Sequence, residues 1–559
     1  MGAVFSKLGI TRARVTVTLL LYAAKDAVGR WLLRLPFVSR FLPVETARNA
    51  GWLGVLALCL SAMRSQSLNM LTEGLSCFMP PRVLVALTLE RMTFSLFAQR
   101  AGVLRYPNAA TASRMRTLLK LPIAATRVQP LQAVQTGMMS NNARVKLTYD
   151  RPKGSCSESV PGSCSNPTSP TTPSRNNSIQ VSREAHSPEY SPMRDASGSE
   201  AGTPSRSRKP KRPGPRSVII KCVPSDLGTR LSVDGKAMFE REIRFYEEIA
   251  PLLSGGLSTP TLFFARRQSS LGQRAACLVL EDLTLRRDAK FLVPLMNEAD
   301  LERELPKDGI RDLVQQLAVL HAAHWQSRQL SSDGNLAWAW RHTKRAASLA
   351  ARQEHFLYQL GWLKYRRHFP DEHITPSLRV LADALVHRLP ELYEHTFNPP
   401  AVDDAPVTLI HGELGLYNVM FHRPRGEQGM RACIFDWQTC GTGRAAYDLA
   451  FFLSFSVPSE SRASQEEELL RLYWKMLQKQ GVKAASYSYE HLHTDYSVCL
   501  VTAFAYLVSS MGHMPEQYID HLKIGAHRAM AAIEDNHAAQ KVCGILGIDV
   551  PAGSGGMML

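Results

Sequence analysis

Two short segments of this chain carry side chains suited to phosphoryl transfer. In the first, His411-Gly412-Glu413, a carboxylate stands five residues before Asn418; in the second, Asp436 follows a short apolar run. Phosphoryl transfer depends mainly on carboxylates, amides and lysines placed around a metal-bound nucleotide. The spacing therefore predicts Glu413 as the base that orients a hydroxyl, and Asn418 and Asp436 as Mg²⁺ ligands. Either segment alone is equally compatible with an ordinary strand-loop-strand unit that buries an Asp.

An upstream strand and helix supply a lysine and a further carboxylate. Val218-Ile219-Ile220-Lys221 is typical of an apolar strand ending in a lysine that contacts the α- and β-phosphates of ATP. Downstream, apolar residues at 239, 243, 246 and 250 predict a helical stripe with Glu242 at its border. Glu242 is therefore better aimed at Lys221 than Glu240 is. Taken singly, each charged residue is an ordinary solvated side chain.

The adenine and the phosphates of ATP need further contacts. Residues 278–283 predict a buried strand entering a connector, where the backbone at Glu281 and Leu283 would bind adenine. Gly137 and Ser140 are the candidates for the loop over the phosphates. No glycine-rich signature is present there, and a plain hairpin turn is an equal alternative.

The order of these motifs resembles the small-molecule kinases of the choline kinase and aminoglycoside phosphotransferase superfamily, most closely the ecdysteroid kinase-like (CHK kinase-like) branch. The family's loop is His-Gly-Asp, whereas eukaryotic protein kinases use His-Arg-Asp, so Gly412 favours the small-molecule kinases. The resemblance covers roughly residues 125–540. It extends to four supporting segments, at 242–246, 317–325, 448–453 and 528–533.

The resemblance implies an α+β, bilobal protein kinase-like fold. A small antiparallel-sheet lobe over 123–285 would hold Lys221 and Glu242, and a mainly helical lobe over 286–545 would carry the catalytic loop. ATP and Mg²⁺ would lie between the lobes. The γ-phosphate would pass to a hydroxyl of a small choline-, steroid- or lipid-like alcohol. A flexible tail is expected over 546–559.

Two structural roles follow from the same resemblance. Asp448, in the Asp-Leu-Ala segment, is expected to brace the catalytic loop rather than touch substrate. His411 is expected to orient the loop backbone, with simple packing of the ring as an equal alternative.

Glu413 stands where the family has Asp. Its extra methylene moves the carboxylate by about 1 Å, and a misplacement of that size can cost roughly 10²-fold in rate. The alternative to an enzyme is thus a pseudokinase, a nucleotide-binding scaffold with weak or no catalysis. Because Lys221, Glu242, Asn418 and Asp436 are all retained, an enzyme is favoured.

Acceptor contacts are predicted from residues 333–373, which are rich in Trp, Tyr, His and Arg. Trp338, Trp340 and Trp362 could cage a quaternary ammonium, as choline-type kinases require, or could simply pack between helices. A sterol-like or lipid-like alcohol fits the family branch equally well.

The positive charge of the chain lies outside the expected catalytic lobes. Residues 1–150 contain 19 basic and five acidic residues, and residues 151–216 contain 11 and five, whereas the remainder is slightly acidic, with 36 against 39. No nucleic-acid-binding motif accompanies this charge, so no nucleic-acid partner is predicted. Ten cysteines without CxxC pairs argue against structural zinc and for a reducing, cytoplasmic compartment.

Residues 151–216 are dense in Ser, Pro, Thr and Arg and predict a disordered insert. Five Ser-Pro or Thr-Pro pairs in it are candidate sites for proline-directed kinases, next to a basic run at 206–216. Phosphate groups there would tune localisation or partner binding. A solvated insertion without a role is the alternative.

Residues 1–122 predict a basic, apolar, helical extension. Its apolar patches at 15–24 and 51–63 are shorter than the about 18 to 20 residues that span a bilayer. Helices of this kind can lie on an anionic membrane surface, and Gly2 fits the pattern for N-myristoylation, with Ser at the sixth position. A mitochondrial transit peptide and a helical domain packed on the kinase are the competing interpretations.

Overall fold

The computed structural model describes residues 104, 107–131, 140–149, 214–224, 233, 236–270, 273–290, 304–331, 333–339, 344–369, 374–399, 405–513 and 519–549. Several sequence predictions fall outside these residues. They concern Gly2, Gly137, Trp340, the apolar patches at 15–24 and 51–63, and nearly all of the insert at 151–216.

The small lobe is a sheet of five antiparallel strands, in the order β1-β2-β3-β5-β4. The strands are β1 (Ile123–Pro130), β2 (Asn141–Tyr149), β3 (Ser217–Cys222), β4 (Leu262–Ser270) and β5 (Gln273–Glu281). The long insert therefore lies in the connection between β2 and β3. Valine and isoleucine in β3 suit a central strand, because their branched side chains pack well on a pleated surface.

The two faces of the sheet pack against different parts of the protein. Helix α1 (Ala112–Leu119), capped by Thr111, lies on the face formed by Val145, Val218 and Ile220. Because side chains alternate along a strand, Lys221 faces the opposite side. On that side, Leu278 and Leu280 of β5 belong to the core of the large lobe. The strand alternation thus directs Lys221 into the space between the lobes.

Helix α2 (Met238–Arg244) carries Glu242. It continues as one π-helical turn over Phe245–Ile249 and a 3-10 turn over Ala250–Leu253. The predicted apolar stripe is buried at Phe239, Ile243 and Tyr246. Glu242 is buried at the same face.

The large lobe is mainly helical. Its helices are α3 (Lys307–Ala323), α4 (Lys344–His368), α5 (Pro376–Phe397), α6 (Ala446–Ser456), α7 (Ser459–Lys479), α8 (Tyr489–His513), α9 (Ile519–Asp535) and α10 (Ala538–Leu546). Two small antiparallel pairs precede α6 and position the catalytic segments. They are β6 (Val407–Ile410) with β9 (Gly441–Arg444), and β7 (Val419–His422) with β8 (Arg431–Ile434).

Helices α4 and α8 approach each other at two glycines. A Cβ built on Gly361 would lie 1.7 Å from the carbonyl oxygen of Val508, and one on Gly512 would lie 2.2 Å from that of Leu357. Any larger residue would force the helices apart.

The predicted α+β architecture with two lobes is confirmed. Of the predicted N-terminal extension, only the end falls within the described residues, and there α1 packs on the sheet of the small lobe. Within the described parts of the chain, no helix is both long and apolar enough to cross a bilayer.

Candidate active site

Lys221 links the two lobes through two carboxylates. Its Nζ lies 2.7 Å from Oε2 of Glu242 on α2 and 2.6 Å from Oδ1 of Asp436, which follows β8. Only 4% of Lys221 is exposed and only 1% of Glu242, whereas the Asp436 side chain is 13% exposed. The structure thus brings Glu242 and Asp436 to the same lysine, and Asp436 is the member of this triad that solvent reaches most.

The electrostatics of this triad follow from its burial. Burial lowers the pKa of Lys221, but the charges of Asp436 and Glu242 outweigh that effect and raise it, so the lysine stays protonated. Burial raises the pKa of Glu242, and Lys221 offsets only part of the increase. The lysine therefore presents a fixed positive charge where the lobes meet.

Helix α2 is attached to the large lobe beside this triad. The ring of Phe245 stacks on that of Trp437 at 3.7 Å between centroids and 7° between planes. The Arg241 guanidinium donates to the carbonyls of Ala339 and Cys440, at 3.2 and 2.9 Å. Since Trp437 directly follows Asp436, these contacts fix the two carboxylates of the triad relative to each other.

The backbone of Asp436 adopts a left-handed conformation, with φ 66° and ψ 58°. A short polar side chain tolerates this region better than most, although it still stores strain of the kind found at functional sites. The turn starts a 3-10 helix over Trp437–Thr439. It thereby sends the Trp437 ring toward α2 and the Asp436 carboxylate toward Lys221.

Asp448 on α6 supports the loop at residues 411–418 from behind. Its carboxylate accepts hydrogen bonds from the backbone N–H groups of His411 and Gly412, at 2.7 and 2.9 Å, and lies 3.3 Å from Nε2 of His321. The carboxylate is fully buried. Gly412 has a φ of 83°, a conformation that side chains other than glycine rarely adopt.

The His411 ring connects the loop to the segment of Asp436. Its Nε2 lies 3.1 Å from the carbonyl of Phe435, and its Nδ1 lies 3.3 Å from the N–H of Glu413. A neutral ring protonated at Nε2 satisfies both contacts, because Nδ1 then accepts and Nε2 donates. The ring thus contacts backbone on both sides.

Glu413 is half-buried, and its carboxylate faces the hydroxyls of Tyr417 and Tyr506. The Tyr417 hydroxyl donates to Oε1 at 3.3 Å. Burial and the charge of Asp436 raise the pKa of Glu413 to about 7, against the opposing effect of the tyrosines and of Lys236. A carboxylate with a pKa near 7 is suited to accept a proton at neutral pH.

Asn418 and Asp436 are the candidate Mg²⁺ ligands, and the structure brings their segments together. The N–H of Phe435 donates to the carbonyl of Asn418 at 3.0 Å, next to the β7–β8 pair. Nδ2 of Asn418 donates to the Glu413 carbonyl at 2.9 Å, which turns Oδ1 away from that contact. Mg²⁺ prefers oxygen ligands and uses one or two side chains in addition to phosphate and water. The donor set therefore fits Mg²⁺, although within the described residues no cluster of three His, Cys, Asp or Glu side chains occurs.

The segment after β5 packs against β7 and β8. Leu283 is buried against Met420 and Cys433, with Phe435 packed alongside. The N–H of Glu281 donates to the carbonyl of Thr261, and the Leu283 carbonyl accepts from the N–H of Arg286. These two backbone groups therefore already have hydrogen-bond partners within the protein. Adenine binding at Glu281 and Leu283 stays a prediction, as does phosphate binding at the half-buried Ser140.

Two of the three tryptophans of the expected acceptor region, Trp338 and Trp362, are engaged within the fold. Trp362 is fully buried, donates from Nε1 to Asp383 at 2.7 Å and stacks on Tyr365. Trp338 donates to Oε2 of Glu248 at 2.9 Å. A cage built from these two rings is therefore not supported by the structure.

The structure adds residues that the sequence did not indicate. Lys236, before α2, forms an ion pair with Glu354 of α4. The charge of Lys236 opposes the rise in the pKa of Glu413, and the charge of Glu354 adds to the rise in the pKa of Tyr506. Tyr506 comes from α8, almost a hundred residues beyond the loop. Only Tyr417 had a local signal, because it lies four residues after Glu413 in the same loop.

Part of this chain is similar to known proteins. The sequence pattern of a family described as ecdysteroid kinase-like matches residues 203–487. Among solved structures, similar chains include a microcompartment-associated aminopropanol kinase, with 14% identity over 60% of this chain and 88% of that one, at a TM-score of 0.33. Another is an ethanolamine kinase from Plasmodium vivax, with 13% identity over 58% and 77%, at a TM-score of 0.30. No curated protein matches. The matched residues amount to about half of the chain and include the lysine, both carboxylates and the loop, so the chain belongs to the ecdysteroid kinase-like family.

Proposed function

We propose that this protein is an ATP-dependent small-molecule kinase that phosphorylates a hydroxyl group of an alcohol. The observation that carries the proposal is the position of Lys221, buried between Glu242 and Asp436 at the junction of the lobes. A buried lysine with two carboxylates is costly to maintain, since several kcal/mol of desolvation must be offset per ion. A role in binding the negatively charged phosphates of a nucleotide would account for keeping such a cluster in spite of its cost.

Each residue then has a distinct task. Mg·ATP, when bound, supplies the phosphoryl group. Lys221, held by Glu242, would neutralise phosphate charge, and Asn418 and Asp436 would hold Mg²⁺ through oxygen atoms. Glu413 would orient the acceptor hydroxyl and take up its proton. Asp448 and His411 keep the loop backbone in the geometry that this requires.

The acceptor lies on the side of Glu413 that is flanked by Lys236 and Glu354. Both side chains are partly exposed there, at 29% and 16%. A steroid-like alcohol agrees with the family description. A choline-like amino alcohol agrees less well, because the nearby acidic side chain, Glu354, already forms an ion pair with Lys236. We favour a steroid- or lipid-like alcohol, because Trp362 and Trp338, two of the rings that would cage an ammonium, are engaged elsewhere.

A catalytically weak scaffold is the second candidate, and Glu413 is the reason for it. The carboxylate faces two tyrosine hydroxyls and has a raised pKa, so that a purely structural, protonated Glu413 is chemically reasonable. Such a protein would bind nucleotide through Lys221 and Asp436 without transferring phosphate.

The test is Mg·ATP-dependent phosphorylation of a metabolite extract, with products identified by mass spectrometry. We expect transfer by the parent protein, none by Asp436→Asn, and retained or increased transfer by Glu413→Asp. Asp288→Asn is the matched control, because Asp288 has the same left-handed backbone and a half-exposed side chain. An inactive parent with an active Glu413→Asp variant would favour the scaffold.

We further propose that the N-terminal extension holds the protein on an anionic membrane surface, with myristoylation of Gly2 and the adjacent basic residues as the two signals. Imaging of Gly2→Ala tests this. We expect Gly2→Ala to be released into the cytoplasm. An unchanged distribution would contradict membrane attachment through Gly2. A mitochondrial signal in both forms would favour a transit peptide.

A further inference from the structure

We propose that Tyr417 and Tyr506 are positioning residues that hold the Glu413 carboxylate in place for catalysis and compensate for its extra methylene. The inference rests on the proposed kinase function, since it assigns a reason for Glu at the loop position where Asp is usual. A longer side chain has one more rotatable bond, and catalytic groups lose rate when they are not held in a narrow range of positions. One hydrogen bond from Tyr417 and a second hydroxyl, that of Tyr506, directed at the carboxylate restrict that freedom.

Tyr417 reaches Glu413 because the loop folds its ring back along the chain. The ring lies against Gly415, where a Cβ would be only 2.3 Å from a ring carbon of Tyr417. This contact directs the hydroxyl to Oε1 of Glu413, at 3.3 Å. A glycine at position 415 is thus required for the Tyr417 ring to lie this close to the loop backbone. The same loop therefore carries Glu413 and holds the tyrosine that contacts it.

Tyr506 approaches the same carboxylate from α8. Its ring is packed edge-on against Phe451 of α6, with 5.6 Å between centroids and 64° between planes. Its hydroxyl faces the Glu413 carboxylate and opposes the rise in the pKa of that group. Because the ring is packed between α8 and α6, the direction of the hydroxyl is fixed relative to both helices.

Both tyrosines rest on one aromatic support. Tyr417 packs edge-on against Phe455 at 6.3 Å, and Phe455 stacks on Phe451 at 5.7 Å. The two phenylalanines are one helical turn apart on α6, the helix that also carries Asp448. Helix α6 therefore supports the loop backbone through Asp448 and the two tyrosines through its phenylalanines. This shared support gives the Glu413 carboxylate a defined position relative to His411 and Asn418.

The kinetic test is a double-mutant cycle. Turnover is measured with radiolabelled Mg·ATP and an ecdysteroid as acceptor, with release of phosphate to water as the second readout. In the parent, Tyr506→Phe and Tyr417→Phe should each lower kcat about tenfold and leave the KM for ATP unchanged. In the Glu413→Asp background, where the shorter side chain no longer reaches the hydroxyls, each should change kcat less than twofold. Tyr489→Phe is the matched control. Tyr489 lies on α8, as Tyr506 does, and its hydroxyl donates to Glu467 of α7 at 2.8 Å.

Two kinetic results overturn the inference. One is an equal loss in both backgrounds, which a general packing role would give. The other is unchanged turnover of the parent after either substitution.

A spectroscopic readout separates this inference from the proposed function. With tyrosine labelled at the hydroxyl-bearing carbon, Glu413→Asp should shift the resonances of Tyr417 and Tyr506 and leave that of Tyr489 in place. If the parent transfers phosphate neither to the ecdysteroid nor to any component of the metabolite extract, the kinase proposal fails. The labelled tyrosines still test the contact with Glu413 in that case. Shifted resonances of Tyr417 and Tyr506 then support their contact with the Glu413 carboxylate, and unchanged resonances overturn the inference.

Discussion

The ammonium nitrogen of Lys221 lies 2.6 Å from a carboxylate oxygen of Asp436, which joins the sheet of the small lobe to the loop of the large lobe. The pair comes from elements more than two hundred residues apart in the chain. Together with the contacts of Phe245 and Arg241, it connects the two halves of the candidate site.

Replacement of Lys221 by Met should cost both nucleotide binding and stability. Glu242 would remain buried without its counter-charge, and breaking a buried pair in this way typically costs about 3–5 kcal/mol. Urea unfolding and calorimetric titration with Mg·ATP measure the two effects. Lys146→Met, at an exposed position of the same sheet, is the control and should leave both unchanged. Equal behaviour of the two variants would contradict the role of Lys221.

Phe245→Ala should destabilise the protein by about 3–5 kcal/mol, the usual range for removal of a buried aromatic ring. It should also reduce transfer, because the stack on Trp437 fixes α2 beside Asp436. Leu252→Ala, at a residue that is 79% exposed near the end of the same helical segment, serves as the control. A variant with normal transfer in spite of lower stability would argue that the stack has no part in aligning the site.

Gly361→Ala should lower the melting temperature, because the new methyl group would lie 1.7 Å from the Val508 carbonyl and force α4 away from α8. Gly544→Ala is the opposite case within a helix. Nothing lies within 4 Å of the position that a Cβ would take there, so the substitution should stabilise by about 0.5–1 kcal/mol through helix propensity. Thermal unfolding followed by circular dichroism compares the two. Similar shifts for both would refute the close approach.

Asp448 should make part of the stability depend on pH. Burial raises the pKa of Asp448, but hydrogen bonds from His321 and the loop backbone outweigh it, so the net pKa is lowered. A carboxylate with a lowered pKa in the folded state contributes stability above its unfolded pKa and loses it as the pH falls. The parent should therefore be more stable than Asp448→Asn at pH 7, and the difference should shrink on acidification below about pH 4.

Urea unfolding of the parent and of Asp448→Asn at several pH values measures this difference. Asp288→Asn, at an exposed position, is the control for the loss of one negative charge. A difference that stays constant down to low pH would mean that Asp448 is not held as an anion.

Much of the site could be predicted because its residues are marked by local patterns. The strand ending in Lys221 and the helical stripe beside Glu242 follow from backbone periodicity. The five-residue spacing from Glu413 to Asn418 follows from the kinase motif. Asp436 follows from the short strand before it. Their mutual distances agree with that interpretation, although their roles in binding and transfer stay predictions.

The remainder depended on contacts without a local signal. Tyr506 belongs to a helix whose sequence is apolar on most of its surface, so nothing in it marks one hydroxyl as special. For Trp362 the sequence left two uses open, contact with the acceptor and packing between helices, because aromatic rings are common both in binding sites and in cores. Helix packing decides between these uses, and it is set by elements far away in the chain.

The attachment of α2 has a consequence for how the site tolerates change. Phe245, Arg241 and Glu242 fasten this helical segment at three points to groups around Asp436. A shift of α2 would have to disturb the ring stack, the hydrogen bonds to two backbone carbonyls and the ion pair with Lys221 together. We therefore expect substitutions at these three residues to be strongly coupled, because each contact keeps the geometry that the other two require.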